Sequence, residues 1–198
     1  MAGKKLESLV GDEILINRSY LPVEQADTLF SKLLQNIPWQ EETLHIYGRS
    51  IRVPRLMSWH GDKQAEYRYS GQNHTPLPWT SELKALKHQL ESSLSVPFNA
   101  VLLNLYRNGT DSMSWHSDDE PELSDFPVIA SISLGAARDF QFRHKQDKSR
   151  KLSVNLPHGS LLVMQNSCQQ NWQHQIPKRK RVFAQRINLT FRYIHRIT

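Results

Sequence analysis

Eight short strand-like segments crowd the second half of the chain, at 98–107, 111–118, 127–135, 138–144, 151–157, 159–165, 171–177 and 185–194. Several are β-branched or alternate in polarity, as in the run from Ile187 to Ile194. Their junctions carry turn chemistry: Asn108-Gly109, Gly135, Gln146-Asp147-Lys148 and Pro157-His158-Gly159. Short strands so closely spaced predict a double-sheet jelly roll or barrel. Such a fold leaves an open end where a metal or a small ligand can sit.

The first half mixes helices and strands. Residues 22–37 place Val23, Ala26, Phe30, Leu33, Leu34 and Ile37 on one helical face, with Pro22 near the start, where its missing N–H costs little. A second helix is predicted from Ser81 to Leu94, striped by Leu83, Leu86, Leu90 and Leu94 and capped by Thr80 or Ser81. Both stripes read as core packing. Residues 44–71 read as short strands and loops. The expected class is therefore mainly β with flanking helices (α+β). A core at 98–198 and an N-terminal extension at 1–97 together form one domain.

The chain has 198 residues, 38% hydrophobic and 22% charged, which excludes a wholly disordered polypeptide. A single cysteine, Cys168, rules out an internal disulfide framework and a cysteine-rich zinc module. Glu7, Asp12 and Glu13 break the apolar residues at the start, and no window holds the roughly 18 apolar residues that span a bilayer. A reducing intracellular compartment is the expectation, cytoplasmic in a bacterium and nuclear in a eukaryote, with no membrane association and a monomeric state. The net charge of +6 and the pI near 9.5 favour polyanionic partners.

His116 and Asp118 stand two apart on a predicted strand, so both side chains point to one face. His174, on another predicted strand, is the best third ligand. Two histidines and a carboxylate on one side of a metal form the facial triad of non-haem Fe(II) oxygenases, with positions open for a bidentate co-substrate and O2. Zinc in a hydrolase accepts the same set, and an isolated His-x-Asp is also met as two exposed polar residues on a strand.

A second signal narrows the choice. In the strand-like run 186–192, Arg186, Asn188, Thr190 and Arg192 share one face, opposite Ile187, Leu189 and Phe191. An inward row with two arginines is costly unless an anion meets it. A dicarboxylate would suit the planar guanidinium fork. Asn104 and Tyr106, alternating on the first strand of the barrel, could complete such a pocket. The same alternation would also serve as the outer polar face of an antiparallel strand. Elsewhere, Tyr47, Trp59, Tyr67 and Tyr69 are interleaved with Arg49, Arg52, Arg55 and Arg68, a mixture that suits nucleic acid and equally a set of core aromatics between solvated arginines.

The segments NLYRNGTDSMSWHSDDEPEL, PVIASISLGAARDFQFRHK, HGSLLVMQNSCQQNWQHQIPK and RINLTFR resemble the AlkB family of alkylation-repair dioxygenases, most closely the branch of the human nuclear AlkB homologues two and three. The resemblance covers nearly all of the chain from about Tyr47. It implies a double-stranded β-helix with an N-terminal nucleotide-recognition lid. It implies Fe(II) held by His116, Asp118 and His174, and 2-oxoglutarate held by Asn104, Tyr106, Arg186, Asn188, Thr190 and Arg192, with Arg186 and Arg192 facing opposite carboxylates. The family uses O2, with ascorbate as reductant in vitro, to turn 2-oxoglutarate into succinate and hydroxylate an alkyl carbon on a base nitrogen.

VPRLMSWHGD and EYRYSG match the family's lids. Tyr67, Tyr69 and Ser70 fall at base-pocket positions, Tyr69 stacking the base against His116. Glu120, beside Asp119, matches an acidic residue that contacts the target base, which suits cationic lesions such as 1-methyladenine and 3-methylcytosine. Tyr47, Gly48 and Arg49 fall where a relative inserts an aromatic wedge into the duplex. Arg138, Arg143, His144, Lys145 and the run 178–181 are expected to contact phosphate. The expected substrate is alkylated DNA; the alternatives are an RNA demethylase of the same chemistry and a non-catalytic nucleic-acid-binding β-barrel.

Overall fold

The computed structural model describes residues 5–46, 49–65, 67–69 and 72–195, without the side chains of 44–51 and 66–74. In chain order its elements are β1 (Glu7–Val10), β2 (Ile14–Asn17), α1 (Val23–Asn36), β3 (Gln40–Ile46), β4 (Arg49–Gly61), β5 (Tyr67–Tyr69), β6 (Gln72–His74), α2 (Ser81–Leu94), β7 (Ala100–Tyr106), β8 (Met113–His116), β9 (Ile129–Gly135), β10 (Arg138–His144), β11 (Lys151–Leu156), β12 (Ser160–Met164), α3 (Cys168–Asn171), β13 (Trp172–Ile176) and β14 (Arg186–Arg192).

The strands form an eight-stranded sheet in the order β1-β2-β12-β9-β14-β7-β4-β3 and a four-stranded sheet β11-β10-β13-β8, with β5 and β6 as a separate pair. Among the described residues every ladder between these strands is antiparallel, and one isolated parallel bridge joins His60 to Leu77. One apolar cluster joins the two sheets: Ile14, Ile16, Tyr106, Ile129, Leu162 and Met164 of the larger meet Phe140, Phe142, Val154, Leu156, Trp172 and Ile176 of the smaller. This is the jelly roll, mainly β with flanking helices, that the strand spacing predicts.

The helices cover the other face of the large sheet. Leu29 and Leu33 of α1 and Leu83, Leu86 and Leu90 of α2 pack on Val101, Leu103, Ile132, Ile187, Leu189 and Phe191. Ile187, Leu189 and Phe191 thus face the helices, and the pleat sends Arg186, Asn188, Thr190 and Arg192 between the sheets. All seven residues of β14 are buried, so the outer-face alternative for this strand does not hold. Thr80 Oγ1 caps α2 by accepting from the Leu83 N–H at 3.3 Å. On α1, Leu29 rather than Val23 completes the buried stripe; Val23 is 67% exposed.

Three features depart from the sequence reading. The hairpin β1–β2 adds two strands to the large sheet beside β12, where polar and apolar residues do not alternate over enough length to announce a strand. The expected short strands of 44–71 include β4, a single strand of 13 residues paired to both β3 and β7. The predicted strand 111–118 is shorter and ends at His116. Among the described residues no helix is long and apolar enough to cross a membrane.

Candidate metal centre and co-substrate pocket

His116 and His174 face each other directly across the β8–β13 ladder, their rings 4.2 Å apart edge to face. Asp118 lies two residues beyond the end of β8, its Oδ1 3.7 Å from His116 Nε2. One ligand atom from each of the three falls within 4.8 Å of the others. Two histidines and a carboxylate from two strands and a loop thus converge as the sequence expects, although Asp118 is held by a loop rather than by strand pleating.

Local interactions prepare this cluster for a cation. The His116 Nδ1 lies 2.8 Å from the Ser114 carbonyl, which can only accept, so Nδ1 carries the proton and Nε2 keeps its lone pair. Burial pushes the His174 imidazole down to about 3, keeping it neutral and able to ligate, and its Nδ1 has no hydrogen-bond partner among the described residues. Burial opposes ionisation of Asp118, but the Arg192 guanidinium at 3.1 Å outweighs it and holds the carboxyl below its usual range. Two imidazoles, that of His174 kept neutral by burial and with a ring nitrogen unsatisfied among the described residues, and one carboxylate are a donor set that fits ferrous iron.

A narrow cavity runs from this cluster between the sheets. Asn104, Tyr106, Ser131, Asn188, Thr190 and Arg192 line it from the large sheet, and Met113, Phe140 and Ile176 from the small one. Arg186 stands outside this wall with its guanidinium carbon 5.2 Å from the Tyr106 ring centroid. It is fully buried; Nη2 donates to Ser133 Oγ and Asn188 Oδ1, while Nε and Nη1 lack a partner of ordinary geometry, as does the Tyr106 hydroxyl. Burial pushes Arg186 down to about 10, still cationic at neutral pH. A buried guanidinium with donors to spare, interacting with the phenol beside it, fits a carboxylate.

The other sequence-singled residues divide. Asp119 is exposed and pairs with Lys145 at 3.3 Å, and with Glu120 it lines a carboxylate-rich groove that opens beside Asp118. Tyr47, Gly48 and Ser70 lie outside the described residues, and Arg49, Tyr67 and Tyr69 are described only as backbone of β4 and β5. Arg138 is not a phosphate contact: it is buried and donates to the carbonyls of Asn108, Asp111 and Pro177. Arg143 stacks on Trp115 at 4.4 Å and donates to Gln173.

Two residues near the site were not assigned to it from sequence. Arg55, read as part of the aromatic and basic segment, is buried and donates to Asn104 Oδ1 at 2.6 Å. Gln169 receives the Asp118 N–H, and no sequence signal marks it, because the contact spans 51 residues.

The fold and site define the class of 2-oxoglutarate- and iron(II)-dependent oxygenases, and residues 13–192 match the 2OG-Fe(II) oxygenase superfamily. Over 185 residues the chain is 38% identical to human alpha-ketoglutarate-dependent dioxygenase alkB homolog 3, covering 89% of this chain and 64% of that protein. It is 38% identical over 180 residues to human DNA oxidative demethylase ALKBH2, covering 86% and 69%. The chain belongs to the AlkB family, on the side of homologues 2 and 3. It spans somewhat less than two thirds of the length of the homologue 3 proteins. The solved structure of OsALKBH1 superposes with a TM-score of 0.69 over 96% of this chain at 15% identity, a likeness of fold.

Proposed function

We propose that this chain removes alkyl groups oxidatively from nucleobases of DNA, using Fe(II), 2-oxoglutarate and O2. The observation that carries the reading is the convergence of His116, Asp118 and His174 on a cavity between the sheets that Tyr106 also lines, with the buried Arg186 guanidinium against the Tyr106 ring just outside its wall. The names of its relatives, a dioxygenase and a DNA oxidative demethylase, point the same way.

In this reading His116, Asp118 and His174 hold the iron. Asn104, Tyr106, Asn188 and Thr190 line the co-substrate's path. Arg192, already bonded to Asp118, marks the metal end, and Arg186 takes the distal carboxylate. The bound metal, co-substrate and O2 supply the oxidation of the alkyl carbon; the resulting hemiaminal opens to an aldehyde and the restored base. The chain's share is positioning: a neutral His174, a fixed His116 tautomer, an ionised Asp118 and a buried cation that selects a diacid.

The groove carrying Asp119 and Glu120 suits a base made cationic by alkylation, as in 1-methyladenine or 3-methylcytosine. Residues 98–198 hold the catalytic core, and residues 1–97 form the N-terminal extension with its helices and the nucleotide-recognition lid. Within that lid, Tyr67, Tyr69 and Ser70 hold the extruded base, and Tyr47, Gly48 and Arg49 enter the duplex, as their resemblance to the family implies. The enzyme acts inside the cell, as a monomer. A panel of methylated single- and double-stranded DNA and RNA, assayed for succinate with Fe(II), 2-oxoglutarate and ascorbate, tests it. Turnover on methylated DNA is expected. Binding without succinate would make the chain a non-catalytic binder, and preference for RNA would move the substrate.

A further inference from the structure

Asp118 follows the end of β8, and no ladder bond fixes its backbone. Its carboxylate is drawn by Arg192 at 3.1 Å, while His116 Nε2 stands farther off at 3.7 Å. Left to side-chain forces, this carboxylate would turn from the imidazoles toward the guanidinium. What restrains the residue is its N–H, which donates to Gln169 Oε1 at 2.9 Å.

Gln169 is suited to the task. It is 2% exposed, so little water reaches its amide. Its orientation is set by chemistry: a backbone N–H needs an acceptor, and the amide's other end, Nε2, meets the Met164 thioether at 3.6 Å. Its helix, α3, is anchored in turn. The Glu13 carboxylate accepts from Ser167 Oγ at 2.9 Å, Asn171 Nδ2 at 2.6 Å and Trp172 Nε1 at 3.1 Å. Lys145 bonds the Gln169 carbonyl at 2.7 Å and Asp119 at 3.3 Å, and Ser117 Oγ donates to the Trp172 carbonyl at 2.9 Å. The loop 117–119 is thus tied down at three successive residues, Ser117 to the first residue of β13, Asp118 directly to α3 and Asp119 through Lys145, and only the Asp118 tie acts on a metal-ligating residue.

We infer that Gln169 is a positioning residue for the metal centre, holding the Asp118 backbone so that its carboxylate meets the imidazoles rather than yielding to Arg192. The inference rests on the reading of Asp118 as a ligand. Groups that orient a ligand commonly change metal affinity by about tenfold to a hundredfold when removed.

The test is a Co(II) titration of the whole 198-residue chain, read by visible absorption, with thermal unfolding of the metal-free protein alongside. Gln169→Leu keeps the volume and loses the acceptor; it is expected to bind Co(II) at least about tenfold more weakly and to show an altered Co(II) spectrum. Gln169→Glu keeps the acceptor and is expected to recover most of that affinity. If Gln169→Leu does not fold, Gln169→Asn, too short to reach the N–H, carries the same expectation. Co(II) affinity and spectrum unchanged in the Leu or Asn variant, with only unfolding temperature or nucleic-acid affinity lowered, would reduce Gln169 to a packing or groove residue. Equal weakening in the Glu and Leu variants would also overturn the inference. Asp118→Ala separates the premise: undiminished Co(II) binding there would refute Asp118 as a ligand.

Discussion

The amide oxygen of Asn104 accepts a 2.6 Å hydrogen bond from Arg55 Nε, across the neighbouring strands β7 and β4. The amino group is therefore what Asn104 has left for the cavity it lines, a donor suited to an anionic ligand. Arg55→Met frees the amide to rotate. The expected result is a 2-oxoglutarate requirement raised by about threefold to tenfold, the worth of one hydrogen bond, with little loss of maximal rate. A co-substrate titration that left half-saturation unchanged would count against this role.

Much of this site is legible in sequence because strands impose a period of two. Arg186, Asn188, Thr190 and Arg192 can be placed on one face by counting, and the burial of β14 decides which face. What sequence cannot show is contact between distant residues. Arg55 reads as one of several lid arginines until β4 pairs with β7, and Gln169 reads as an ordinary polar residue until α3 meets the loop after β8. The β1–β2 hairpin is silent for a related reason: its strands of four residues each carry too few alternations, and Glu13 gains its meaning only from Ser167, Asn171 and Trp172.

His116 and His174 oppose each other on the ladder, and His174 is also stacked on Phe140 at 5.1 Å. Replacing the half-exposed His116 by Ala removes a ligand without opening the core, so turnover falls to background while the unfolding temperature stays close to that of the parent. His174→Ala leaves a cavity against Phe140 and Phe142, and should cost stability as well, on the order of 1–3 kcal/mol. Thermal unfolding and succinate formation, measured on both variants, would contradict this if His116→Ala were the less stable or either remained active.

Arg186→Met is expected to act with opposite signs on stability and binding. The free protein holds a fully buried cation with two donors that lack a well-formed partner among the described residues, so an apolar replacement relieves that burden. The same change removes the charge proposed to meet the distal carboxylate. The variant should unfold at an equal or higher temperature without ligand and should lose the stabilisation that 2-oxoglutarate with Co(II) gives the parent. Ligand-induced stabilisation surviving in the variant would refute the assignment.

Glu13 makes part of the stability depend on pH. Burial opposes its ionisation, but hydrogen bonds from Trp172, Asn171 and Ser167 and the charge of Arg150 outweigh it, so the folded carboxyl lies below its ordinary value of 4.5. A group depressed in the folded state stabilises it above the unfolded value, and that contribution fades as pH falls through the folded one. Unfolding temperature should drop below about pH 4.5 in the parent, and the drop should be shallower in Glu13→Gln. Parallel curves for the two proteins would rule out the Glu13 contribution.

Gly109 holds the basic run Lys178–Arg181 in place by having no side chain. Its N–H donates to the Val182 carbonyl and its carbonyl accepts from the Arg179 N–H, both at 2.7 Å. A Cβ there would stand 1.7 Å from the Arg179 carbonyl oxygen, a clash with backbone that no rotamer change relieves. Gly109→Ala must displace the segment at a cost of roughly 1–3 kcal/mol. It should also scatter the exposed Lys178, Lys180 and Arg181, while His116, Asp118 and His174, on β8, its following loop and β13, keep their Co(II) affinity. If these cations meet phosphates, affinity for a DNA duplex falls and the slope of log affinity against log salt becomes shallower by about 0.9 for each phosphate no longer neutralised. An unchanged slope in a folded variant would remove this basic segment from the nucleic-acid surface and leave its charge to solvent.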